Sequence, residues 1–98
     1  MTNDFEQHLI HTYNRSVVFD RGEDVYLIDN NGKKYLDMGA GIAVSALGYS
    51  NEEYKQGLKD QIDKLIHVSN LYYTEPVITA AKYLAEGSGM DRVFFTNS

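Results

Sequence analysis

A chain of 98 residues is at most one small domain or a piece of a larger one. Its 43% apolar content is ordinary for a globular protein, its net charge of -5 is wrong for a nucleic-acid-binding face, and the absence of cysteine removes disulfides and thiolate metal sites. The N-terminus holds acidic residues and no apolar run, and no stretch is long enough to span a membrane, so the expectation is a soluble, cytoplasmic protein with no nucleic-acid or membrane partner.

Residues 4 to 13 read as a short helix. Asn3 is placed to cap it, Asp4 and Glu6 favour its positive end, and Phe5, Leu9, Ile10 and Tyr13 share a face. His8 and His11 lie one turn apart, a spacing that suits a metal, but nothing nearby completes a ligand set and a solvated pair is the simpler reading. Ser16–Asp20 reads as a first strand, residues 21–24 as a turn, and Val25–Asp29 as a second strand. Asn31-Gly32 is a strong hairpin signal leading into a third strand over Lys33–Asp37. These predict a three-stranded antiparallel meander.

The stretch from Met38 to Gly48 carries no charge and contains Gly39, Gly41 and Gly48. Backbone with so little side chain usually lies close to other backbone or to a ligand. Two readings follow: a buried connection between elements, or the floor of a site. Gly39-x-Gly41 is not a dinucleotide fingerprint, because the third glycine position falls on Val44 and no helix follows at once. Gly87-x-Gly89 fails because it follows a helix.

Ser50-Asn51-Glu52-Glu53 reads as a capping box opening a helix that runs to about Ile66, with Tyr54, Leu58, Ile62, Leu65 and Ile66 on one stripe. Asp60 and Lys64 are spaced as a favourable exposed pair. An uncharged connection over Val68–Thr74 carries Tyr72 and Tyr73. Pro76 then sits in the first turn of a helix that places Ala80, Ala81, Leu84 and Ala85 inward and stops at Gly87 or Gly89. Arg92–Thr96 reads as a short apolar strand of a parallel sheet covered on both faces. Ligands in such sheets bind just beyond the carboxyl ends of strands, where Asn97 and Ser98 follow.

No complete active site can be assembled from these residues. Lysines 33, 34, 55, 59, 64 and 82 lie in turns or on charged helix faces, where an amine stays protonated and is a poor nucleophile. Ser45, Ser69 and Ser98 have no identifiable base, and His67, which follows a helix, reads as a C-terminal cap as easily as a base.

In order along the chain, Tyr35-Leu36-Asp37, Gly41-Ile42-Ala43-Val44, Leu47-Gly48, Leu65-Ile66-His67, the run from Ser69 to Pro76 and the run from Ser88 to Ser98 resemble the class III, pyridoxal-phosphate-dependent aminotransferases, most closely the acetylornithine aminotransferases. Two features depart from the family: Gly48-Tyr49-Ser50-Asn51-Glu52 stands where it usually has Gly-His-x-His-Pro, and a proline common after the position of Arg15 is absent. The resemblance implies an α/β protein, here an α+β N-terminal segment of a fold-type I transferase. Residues 1–68 would belong to the small domain and 69–98 would begin the large cofactor domain. It implies that Asn97 and Ser98 open the turn holding the phosphate of pyridoxal 5'-phosphate, and that Ile42, Ala43, Val44 and Ser45 line the substrate side of the cleft. Tyr72 would belong to that cleft or to the partner subunit's site.

The implied reaction passes an amino group between N-acetylornithine, or a similar ω-amino donor, and 2-oxoglutarate, in arginine biosynthesis and in a homodimer. The Schiff-base lysine, the aspartate facing the pyridine nitrogen and the carboxylate-binding arginine would lie beyond Ser98, which leaves this chain inactive by itself. Ornithine or 4-aminobutyrate as donor, and a non-catalytic α+β interaction module, are the alternatives.

Overall fold

Antiparallel pairing of three short segments organises the first part of the chain. The computed structural model describes residues 6–98 and divides into two units, one ending at Asp63 and one running Lys64–Ser98. In the first unit β1 (Phe19–Glu23), β2 (Tyr26–Asp29) and β3 (Lys34–Leu36) form a sheet of order β1-β2-β3, the predicted meander. Phe19 pairs with Asp29 and Glu23 with Tyr26, with an irregularity between Phe19 and Arg21; Leu27 pairs with Tyr35.

The first strand begins at Phe19, later than the Ser16 that its apolar run indicates. Arg21, Gly22 and Glu23 continue the ladder and the reversal falls on Asp24 and Val25, with Asp24 in the left-handed region at φ 52. Gly22 can stay in the strand because its missing Cβ leaves room for the Tyr49 ring, which lies directly against it. Strand assignment from side chains alone cannot see that contact.

Asp29 fixes the second hairpin. Its Oδ1 accepts the amides of Asn31 and Lys33, both at 2.9 Å, and its Oδ2 accepts the Tyr35 hydroxyl at 3.2 Å. These bonds, the Lys33 amide first, hold the carboxyl below its usual range against the opposing effect of burial. Gly32 follows at φ 86 with its N–H on the Asp29 carbonyl, so the Asn31-Gly32 signal is met by a four-residue loop with only the glycine left-handed. The Tyr35 ring meets Phe19 edge-on, 5.5 Å between centroids. Ile28 of β2 is the one fully buried apolar side chain among the described residues.

Of the helix expected over residues 4 to 13, Asn3, Asp4 and Phe5 lie outside the described residues. Glu6 is helical and the Leu9 amide closes a turn on its carbonyl at 3.1 Å; the helix does not continue. Leu9, Ile10 and Tyr13 are exposed, so among the described residues that face has nothing to pack on, and a short helix is marginal without packing. His11 bonds Asn14, and among the described residues no group of three potential ligands is close enough to hold a metal.

Helix α1 spans Glu52–Lys64. Its cap is not Ser50. Asn51 Oδ1 accepts the Tyr54 amide at 2.8 Å, while Ser50 Oγ accepts the Asp24 amide at 2.7 Å and ties the helix start to the β1–β2 turn. Asp60 accepts from Gln56 at 2.8 Å instead of pairing with Lys64.

In the second unit α2 spans Glu75–Ser88, with Pro76 in the first turn. The helix ends on Gly89 at φ 73, whose N–H reaches the Ala85 carbonyl. Neither helix has a buried residue. Arg92–Thr96 forms no strand: no described segment pairs with it, and Phe94 is left 85% exposed. A strand needs a neighbour to take its backbone hydrogen bonds. No described helix is long and apolar enough to cross a membrane.

Candidate functional site

The Asp37 backbone ends the sheet with its N–H on the Val25 carbonyl at 2.9 Å. Its side chain then starts the loop. Oδ1 accepts the amides of Gly39 at 3.1 Å and Ala40 at 2.9 Å, an Asx-type turn, and Oδ2 accepts the Tyr49 hydroxyl in a short bond. The Tyr49 hydroxyl and the two amides, in that sequence with Ala40 before Gly39, hold the Asp37 carboxyl below its usual range. The same bond raises the Tyr49 phenol, with the nearby Ser45 hydroxyl acting the other way.

Between these anchors the backbone is left-handed at four successive residues: Ala40 (φ 49), Gly41 (φ 60), Ile42 (φ 57) and Ala43 (φ 69). That conformation costs roughly 1–2 kcal/mol for each residue other than glycine, and a β-branched residue such as Ile42 tolerates it worst. Such strain persists only where the surroundings over-determine it. Here the closing bonds are Ile42 N–H to the Gly39 carbonyl, Ser45 N–H to the Ala40 carbonyl and Gly48 N–H to the Ser45 carbonyl, between 2.9 and 3.0 Å.

The far end is clamped to the β1–β2 turn. The Tyr49 N–H donates to the Asp24 carbonyl at 2.7 Å, and Gly48, at φ 73, lies so near that a Cβ there would be 2.5 Å from the same oxygen. Val25, Asp37, Ala40, Ser45, Ala46, Gly48 and Tyr49 surround a concavity of about 180 Å³ beneath the loop.

The tip points the other way. Ile42 is 95% and Val44 84% exposed, so the loop is not the buried connection that its composition also allowed. Ser45 is half-buried against Tyr49. The result is a rigid, strained loop that displays two branched apolar side chains, with nothing among the described residues covering them.

The other expected site residues lie in the second unit. Tyr72, 67% exposed, follows a turn in which Ser69 Oγ accepts the Leu71 amide at 3.3 Å and the Ser69 carbonyl accepts the Tyr72 amide at 3.1 Å. Asn97 and Ser98 are exposed, with the Ser98 hydroxyl donating to Asn97 Oδ1 at 3.3 Å. They offer a hydroxyl and an amide, but no cationic side chain or row of free amides is joined to them among the described residues. By themselves they do not form a cradle for a cofactor phosphate. Asp37 and Tyr49 were not among the expected site residues, although Asp37-x-Gly39-Ala40 is legible as an Asx turn.

The profile of the family described as aminotransferase class III matches residues 10–98. The acetylornithine aminotransferase of Archaeoglobus fulgidus is 51% identical over 94 residues, which are 95% of this chain and 25% of that protein. The crystal structure of N-acetylornithine aminotransferase from Stenotrophomonas maltophilia superposes with a TM-score of 0.82 at 35% identity, over 98% of this chain and 26% of that one. Ornithine delta-aminotransferase of Plasmodium falciparum reaches 0.89 over 99% of this chain and 26% of that one, at 22% identity, a likeness of fold alone. The chain thus spans about a quarter of the length of the relatives it matches. On the family match and the shared fold, this chain belongs to the class III aminotransferases.

Proposed function

We propose that the chain is the N-terminal segment of an aminotransferase that moves an amino group between N-acetylornithine, or a similar ω-amino donor, and 2-oxoglutarate, in arginine biosynthesis. The whole enzyme would be a cytoplasmic homodimer using pyridoxal 5'-phosphate. The observation that carries the donor is the 51% identity to an acetylornithine aminotransferase. Residues 1–68 would belong to the small domain and 69–98 would begin the large cofactor domain.

In this reading the strained loop is a wall of the substrate cleft. Ile42 and Val44 supply apolar surface for the methylene part of the donor, and Ser45 a hydroxyl at its edge. The sequence resemblance and the outward display of both side chains support that role. Tyr72 would offer a ring and a hydroxyl to the same cleft or to the partner subunit's site, and Asn97 and Ser98 would stand beside the cofactor phosphate.

The test is a donor profile. Full-length, cofactor-loaded enzyme is assayed with N-acetylornithine, ornithine and 4-aminobutyrate, each against 2-oxoglutarate. The expected result is the highest kcat/KM for N-acetylornithine. A preference for either of the other two by tenfold or more would overturn the substrate assignment.

A further inference from the structure

Tyr49 joins three separate pieces of the fold. Its ring lies on Gly22 of β1, its N–H is on the Asp24 carbonyl of the β1–β2 turn, and its hydroxyl is on Asp37 at the end of β3. The other Asp37 oxygen binds the amides of Gly39 and Ala40, where the left-handed run begins. The start of the strained turn is therefore held by a carboxylate that the Tyr49 phenol holds in turn, and its far end by the Tyr49 backbone on Asp24.

We infer that Tyr49 is a positioning residue: through Asp37 its hydroxyl latches the Ala40–Ala43 turn in its left-handed form and so sets where Ile42 and Val44 meet the amino donor. The inference rests on the reading of residues 42–45 as substrate-facing. Three non-glycine residues with positive φ need such a latch, because without it the backbone would relax to the ordinary right-handed or extended regions. A bond to an ionised carboxylate is among the stronger ones available to a neutral donor. Ile42 is exposed and brings no packing of its own to the turn.

The test uses Tyr49→Phe in the full-length, cofactor-loaded enzyme, which removes the hydroxyl and keeps the ring over Gly22. Two readouts are taken: hydrogen exchange of peptides covering residues 39–46, and KM and kcat for the amino donor. The latch predicts exchange in that segment faster by about tenfold, the scale of one lost hydrogen bond to a charged group. It also predicts a raised KM with kcat within about twofold, since uniform binding is lost and the reacting atoms are untouched. Tyr49→His, which restores a ring donor, should recover part of both effects.

If Tyr49→Phe proves too unstable, Asp37→Asn keeps the acceptor for both amides, weakens the pair, and should shift both readouts in the same direction. Unchanged exchange in folded variants would overturn the latch. Faster exchange with parent-like KM would leave the latch standing and instead overturn its link to donor binding, together with the placement of residues 42–45 in the cleft.

Discussion

Gly48→Ala is expected to destabilise the protein by roughly 3 kcal/mol, combining the cost of a left-handed side-chain-bearing residue with overpacking against rigid backbone. Gly48 sits at φ 73, and its added Cβ would fall 2.5 Å from the Asp24 carbonyl oxygen. That oxygen cannot move aside, because it accepts the Tyr49 amide, and the Asp24 amide is itself bonded to Ser50 Oγ. Thermal unfolding of the full-length enzyme would show a lowered Tm. Gly32→Ala is the comparison, since Gly32 has a similar φ of 86 but open space around its Cβ position. It should lose only the conformational part. Equal losses at the two glycines would mean that the Asp24–Gly48 approach carries no energetic weight.

The isolated 98-residue chain is expected not to fold as a compact monomer. Ile28 is the one fully buried apolar side chain among the described residues, and neither helix buries any. Conformational entropy costs about 1–2 kcal/mol per ordered backbone residue, and burial on this scale does not offset it. Tyr54, Leu58 and Ile62 on α1, and Val77, Ile78 and Leu84 on α2, are exposed apolar residues that need cover. Sedimentation at micromolar concentration should therefore show self-association or an expanded chain, and urea should produce a shallow, non-cooperative transition. A compact monomer with a sharp transition would contradict this.

The sequence is legible where the interaction is local. Asn31-Gly32 marks the hairpin, and Pro76 and Gly89 bracket α2. It misleads where a distant partner takes a group that local rules assign elsewhere. Ser50 looks like the α1 cap, but its oxygen is taken by the Asp24 amide, and Asn51 caps in its place. Gly22 looks like part of a turn, but Tyr49, far away in sequence, makes it a strand residue. Arg92–Thr96 has the composition of a central strand and no described neighbour to pair with.

The loop over Met38–Gly48 was recognisable as unusual from its glycines and lack of charge. Its shape was not. Only Gly41 among the four left-handed residues announces itself, and Ala40, Ile42 and Ala43 are forced there by the Asp37–Tyr49 pair. The glycine of this loop that most needs its missing Cβ is Gly48, which looks no different in sequence from Gly39.

The central claim is that this strained loop presents Ile42 to the amino donor. It is tested most directly by Ile42→Ala in full-length enzyme confirmed to carry cofactor by its absorbance, with kcat/KM measured for a series of long and short amino donors. Ile42 is 95% exposed in this chain, so its truncation should cost little stability here, and any kinetic change reports on the cleft. The expected result is normal cofactor loading with discrimination between long and short donors relaxed by roughly tenfold, the scale of a few methylene contacts. Parent-like kcat/KM across the whole series in cofactor-loaded Ile42→Ala would contradict the claim and make residues 39 to 45 scaffold.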